Sequence, residues 1–200
     1  PESHRLFAFG ARTRLGAFAL ESEGALSTLD RNTLSARDAG DDAGGALRVK
    51  LEGEGRAGPL PGRVGMSAAW RSVESRFAPF SRLERAFVEE DWGLRPGADL
   101  EHPQRGEVSG WWRAAEGREL RAGLARLRTP DGYDGTRRDA NARFTRGALR
   151  LGATWLDAGG RTAGQAFAQG GRIRTTGELQ WTGGWLVPRL RAEQIGRAHV

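Results

Sequence analysis

The side chains that could do chemistry are few and scattered. His4, His102 and His199 are the only imidazoles, and none stands in a recognisable motif that would pair it with a nucleophile. No G-x-S-x-G turn, which presents a serine to its base in many hydrolases, occurs in the chain. The absence of cysteine removes the thiolate nucleophile, the disulfide framework and the Cys-based zinc site together. Asp38, Asp41 and Asp42 in one glycine-rich stretch, and Asp131 with Asp134 in another, could offer oxygens to calcium. Neither group has the closing Glu of an EF-hand loop, and solvated loop charge accounts for both. Glu89, Glu90 and Asp91 fall at the wrong end of a predicted helix to gain from its dipole. No catalytic residue, metal ligand or cofactor is therefore expected, and the chain is not expected to be an enzyme.

Two residue types remain conspicuous, arginine and tryptophan. Lys50 is the only lysine, so the net charge of +6 is carried by arginine. Arg, Ala and Gly have GC-rich codons while Lys and Tyr have AT-rich ones, so genome composition accounts for much of the basic balance. Asp and Glu are interspersed with the arginines rather than segregated from them, so no nucleic-acid partner is expected. Arg48, Lys50, Arg63, Arg71, Arg121 and Arg150 share the polar sides of predicted strands and become candidates for lining a wet channel. Charged rings of this kind favour ions of opposite sign, here anions. Trp70, Trp111, Trp112, Trp155, Trp181 and Trp185 lie at or near strand ends. In a membrane barrel such positions form an aromatic girdle at the headgroup boundary, whereas in a soluble sheet they would be core anchors or a carbohydrate platform.

The elements that must position these residues are strands. Leu47, Val49 and Leu51 oppose Arg48, Lys50, Glu52 and Glu54; after a Pro59–Gly62 turn, Val64, Met66, Ala68 and Trp70 oppose Arg63, Gly65, Ser67 and Arg71. Side chains of a strand alternate between faces, so this is a hairpin with one apolar and one charged face. Glu107–Ala115 and Arg118–Arg128 make a second hairpin around Glu116-Gly117. Leu120, Ala122 and Leu124 alternate there, as do Leu149, Leu151, Ala153 and Trp155 farther on. The intervening TPDGYDGTRRDAN reads as a long polar loop, with the next strand over Ala142–Asp157. Arg5–Glu23 reads as one long strand or a bent pair, its apolar register slipping near Arg12–Leu15 as a bulge would permit. Ala25–Ser35 is weakly patterned, and 37–45 is a loop by composition. Gly159-Gly160 and Gly170-Gly171 are expected to turn the chain on either side of a short strand, before strands over 172–181 and 185–193. Ser81-Arg82-Leu83-Glu84 fits a capping box, so a short helix is predicted over 82–91. No run of about 18 apolar residues exists to make a membrane-spanning helix, but crossing strands need only about 9–11 residues with alternate ones apolar.

The hairpins, the Gly/Asp-rich stretch and the strand-end tryptophans resemble bacterial outer-membrane β-barrels of the porin and TonB-dependent receptor type, across most of residues 1–193. The resemblance is one of class. No plug-domain or TonB-box motif is present, the terminal aromatic strand of such barrels is missing, and the helix over 82–91 has no counterpart there. It implies an all-β, antiparallel up-and-down meander forming part of a transmembrane barrel in the outer membrane of a Gram-negative bacterium. Outer-membrane lipid and the rest of the same barrel are the implied partners, and passive transport or receptor-mediated uptake the implied role. The alternative is a soluble or surface-exposed β-rich binding module of adhesin or fibre type, with the apolar residues packed against a second sheet.

The last residues carry a different signal. Gln194 to Val200 can be back-translated as CAG ATC GGA AGA GCA CAC GTC, the opening of a common short-read sequencing adapter. The expectation is that 1–194 is a single antiparallel β region, that 195–200 is adapter-encoded, and that the natural chain continues beyond Gln194. His199 would then belong to the adapter.

Overall fold

The computed structural model describes residues 3–30, 43–59, 61–78, 92, 94, 102–114, 117–162, 169–185 and 187–198. They form ten strands: β1 Ser3–Leu15, β2 Phe18–Asp30, β3 Ala43–Arg56, β4 Arg63–Val73, β5 Gln104–Ala114, β6 Arg118–Arg128, β7 Tyr133–Arg146, β8 Leu149–Thr162, β9 Gln169–Trp181 and β10 Arg189–Ala198. All ten lie in one antiparallel sheet whose spatial order is the chain order. Such a meander follows from short turns, because each strand pairs with the one just made. The sheet is not closed: β1 pairs with β2 alone and β10 with β9 alone.

The cross-strand register puts like with like. Leu51 stands opposite Leu20 and Ala68, Leu120 opposite Trp112 and Ala142, and Leu151 opposite Phe144 and Leu179. One face is therefore apolar from β1 to β10, and the other carries Arg48, Glu52, Arg121, Arg150 and Glu178. Among the described residues no second layer covers the apolar face. Phe7 is 71% exposed, Leu124 54% and Leu190 68%.

The two ends of the sheet also differ. Strands β1, β3, β5, β7 and β9 finish at one, the turn end; β2, β4, β6 and β8 finish at the other, the loop end. At the loop end the faces exchange character. The apolar face finishes in Arg126, Arg128, Asp134, Arg138 and Arg161, while the charged face gains a buried cluster of Trp92, Leu94, Ala125, Leu127 and Tyr133.

Several local expectations are corrected. The register slip near residue 15 is a two-residue hairpin turn, Gly16-Ala17, with Leu15 opposite Phe18 and Gly16 at φ 63°. β2 runs unbroken to Asp30. The polar stretch after Arg128 turns within Thr129–Gly132, where the Gly132 amide donates to the Thr129 carbonyl at 3.1 Å, and then forms β7. β7 shows no apolar period in its first half because after Tyr133 it carries Asp134, Thr136 and Arg138 on one face and Arg137 and Asp139 on the other. β7 ends at Arg146, and Gly147-Ala148 makes the hairpin to β8, so 142–157 holds two strands rather than one. β8 continues through Gly159-Gly160 with a register shift between Ala158 and Gly160, and Gly170-Gly171 lies inside β9. The predicted strand over 163–169 falls mostly outside the described residues, as does the helix predicted over 82–91. β10 begins at Arg189 and takes Ile195–Ala198 into its ladder with β9. Ladder bonds join backbone to backbone and admit most residues, so this pairing leaves the origin of 195–198 open.

Candidate functional site on the charged face

The register places Arg48, Lys50, Arg63, Arg71, Arg121 and Arg150 on the same face of β3, β4, β6 and β8. Several are already matched by acids. Arg48 Nη1 lies 3.1 Å from Glu23 Oε2 on β2, Lys50 Nζ lies 2.6 Å from Glu52 Oε2, and Arg63 pairs with Glu54. Arg121 donates to Ser109 Oγ at 3.3 Å. Farther along, Arg113 meets Glu119 at 3.7 Å, Arg174 meets Glu193 at 2.7 Å and Arg189 meets Glu178 at 2.9 Å. The wall is thus a lattice of half-exposed ion pairs rather than a bare cationic surface. Such pairs add little to stability singly, but they orient the side chains they join. Basic residues still outnumber acids on this face. A groove of about 430 Å³ over β7–β10 is lined by Asp139, Asn141, Thr154, Arg174, Glu178 and Arg191.

The tryptophans divide. Trp70, Trp112, Trp155 and Trp181 lie on the apolar face, and Trp185 is 93% exposed in the turn before β10. Trp112, Trp181 and Trp185 mark the turn end, with the Trp112 indole donating to the Pro61 carbonyl at 3.1 Å. Trp70 and Trp155 mark the opposite border of the apolar residues. Trp111 falls on the charged face, where its ring packs over Gly65, so it does not share a row with the others.

Sequence inspection missed contacts made on the charged face at the loop end by described residues of the β4–β5 connection, which are 74–78, Trp92, Leu94, His102 and Pro103. Over β1–β3, the Ala78 amide donates to Ser27 Oγ at 2.9 Å, and His4 Nε2 donates to the Ala78 carbonyl at 2.8 Å. His102 Nε2 donates to the Phe77 carbonyl at 3.2 Å, so this histidine helps to hold Phe77 in place. The backbone at Arg76-Phe77 lies so close to Gly44 that a Cβ there would overlap it. Over β5–β7, Trp92 is 1% exposed, and its ring lies 5.8 Å from the Arg105 guanidinium and 5.3 Å from that of Arg137. The Tyr133 hydroxyl donates to the Trp92 carbonyl at 3.1 Å. Among the described residues the Nε atoms of Arg105 and Arg137 and the Trp92 indole nitrogen have no hydrogen-bond acceptor, while Arg105 Nη2 lies 3.0 Å from Glu107 and Arg137 Nε 3.7 Å from Asp139. A periodic search could not find Trp92, because it belongs to no alternating run.

Among the described residues no group of three His, Asp or Glu side chains comes together as metal ligands would. Asp131 accepts from the Thr129 hydroxyl within its turn, while Asp134 is gripped by Arg126 and Arg128 on the other face. No protein-family profile, curated protein or solved structure matches this chain.

Proposed function

We propose that this chain is part of the wall of an outer-membrane β-barrel, with its apolar face toward lipid and its charged face toward a water-filled passage. One observation carries the reading: ten strands in a single sheet present a continuous apolar face that no other described residues cover. A soluble sandwich would need a second sheet over it. Support comes from the asymmetry of the ends, since the two longest connections, 31–42 and 74–103, leave from the same end of the sheet, and longer loops gathered at one end are the habit of such barrels. The unpaired edges of β1 and β10 are met by further strands of the same protein. The role is transport, with arginine-rich walls favouring anionic solutes and the buried cluster around Trp92 narrowing the passage at the loop end.

The absence of cysteine permits a direct test. Single substitutions to Cys along β8 are labelled in vesicles with a water-soluble, membrane-impermeant maleimide. Arg150→Cys, Gly152→Cys and Thr154→Cys should react, while Leu149→Cys, Leu151→Cys and Ala153→Cys should be protected only when lipid is present. Protection of the second set in plain buffer would overturn the barrel and favour the soluble module.

A further inference from the structure

The loop-end border of the apolar face carries a charge pattern that the transport reading does not use. Three same-face rows cross β6, β7 and β8 there. Arg128, Asp134 and Arg161 form the outermost, Arg126, Thr136 and Gly159 the next, and Leu124, Arg138 and Asp157 the third. Directly opposite residues of one row stand about 4.5–5.5 Å apart at Cβ and diagonal neighbours in adjacent rows about 7–8 Å, so long side chains of the outer and third rows can converge on the middle one. Asp134 is clamped by two of the arginines: Arg126 Nη2 lies 2.6 Å and Arg128 Nε 3.2 Å from its Oδ2. Four exposed guanidiniums thus face two carboxylates, leaving the patch cationic. In the middle row Thr136 offers a hydroxyl, and Gly159 contributes no side chain.

Directly below, the apolar face turns into a groove of about 620 Å³ over β5–β9, lined by Gly110, Ala122, Ala140, Ala142, Ala153 and Trp155. Ala140 stands opposite Ala122 on one side and Trp155 on the other, so small residues make the floor and the indole one wall. A cationic border above an apolar trough matches one kind of partner. A membrane lipid carries phosphate at its head and acyl chains beneath. Guanidinium binds phosphate through paired, charge-assisted hydrogen bonds, and an interfacial indole sits where head meets chain.

We propose that the patch formed by Thr136, Arg138 and Arg161, beside an Arg126 held by Asp134, seats the phosphate of an anionic lipid headgroup, with an acyl chain in the groove beside Trp155. The proposal rests on the barrel reading, because only that reading sets this face against lipid. The seat lies on the lipid-facing side of the wall and is separate from the passage.

Trp155 is the reporter. The protein is reconstituted in vesicles containing either phosphatidylglycerol or phosphatidylcholine with brominated acyl chains. Quenching by each lipid is read as the part of the fluorescence change lost in Trp155→Phe. Phosphatidylglycerol should be bound more tightly at this position than phosphatidylcholine. Each arginine near a lipid phosphate contributes about fivefold, so Arg138→Gln with Arg161→Gln should reduce the preference on the order of tenfold or more, and Arg138→Lys with Arg161→Lys should restore most of it. Equal quenching by both lipids overturns the seat and leaves the barrel standing. A preference that survives the double Gln substitution also overturns it, by placing the anionic contact elsewhere. No Trp155 quenching by either lipid overturns the barrel itself and the seat with it.

Discussion

Trp92 concentrates more interactions than any other described residue of the β4–β5 connection. Its ring is buried against Leu94, Ala125, Leu127 and Tyr133, it lies between two guanidiniums, and its carbonyl accepts from Tyr133. Removing a buried aromatic costs about 3–5 kcal/mol where the surroundings cannot collapse. Trp92→Ala should therefore release this part of the connection while leaving the ladder of β5–β7 intact. Amide exchange should rise at 92–94 with no change in β6; a parallel rise through β6 would show that the cluster is integral to the sheet. Tyr133→Phe removes only the hydrogen bond, a loss of about 1 kcal/mol. The same ring explains two glycines. A Cβ at Gly135 or Gly160 would overlap the Tyr133 ring, whose hydroxyl is fixed by its bond to Trp92. Gly160→Val should destabilise by about 1–3 kcal/mol through overpacking. Part of that loss should return in the double substitution with Tyr133→Ser, read from urea midpoints; strict additivity would show that the two residues do not share the space.

At the scale of elements, period two decides what a substitution does. Leu151 and Arg150 are neighbours in sequence and lie on opposite faces of β8. In the barrel, an arginine at 151 would meet lipid near the middle of the apolar stretch, at a cost of about 2–4 kcal/mol. Leu151→Arg should therefore lose the heat-modifiable mobility of a folded barrel on gels at a lower denaturant concentration, while Arg150→Gln should keep it. Equal behaviour of the two would mean that neither face contacts lipid. The same rule governed what could be read in advance. The hairpins β3–β4 and β5–β6 were legible, with their faces and their turn at Gly117, because both strands alternate over most of their length. β7 was not. Its Asp134, Thr136 and Arg138 lie beyond the apolar residues of their face, while Arg137 and Asp139 lie on the charged one, so no period survives. Glycine misled in β8 and β9, where Gly159-Gly160 and Gly170-Gly171 are strand residues; Gly160 is there to admit the Tyr133 ring. The candidate lining arginines were legible because they alternate with leucine and valine. Trp92, His4 and His102 act through long-range contacts, which local patterning does not encode.

At the scale of the whole molecule the unresolved question is what meets the edges. An edge strand presents alternate amides and carbonyls with no partner, and long flat edges of this kind invite pairing. β1 and β10 run in opposite directions, so ten strands could in principle close on themselves in the antiparallel sense, yet each is paired on one side only. The barrel reading instead requires further strands of the same protein along both. On that reading the 200-residue chain behaves differently from a longer protein containing it. In dilute detergent the chain alone should exchange the outward-pointing amides of β1 and β10 fast, while those of β5–β8 stay protected. At higher concentration it should associate edge to edge, and the edge amides should then gain protection with a concentration dependence. Within the larger protein the same amides should be protected at every concentration. Concentration-independent protection of both edges in the chain alone would mean that β1 and β10 close directly on each other. The wall would then be complete in ten strands, and the passage it surrounds would be narrow enough for side chains from the charged face to fill.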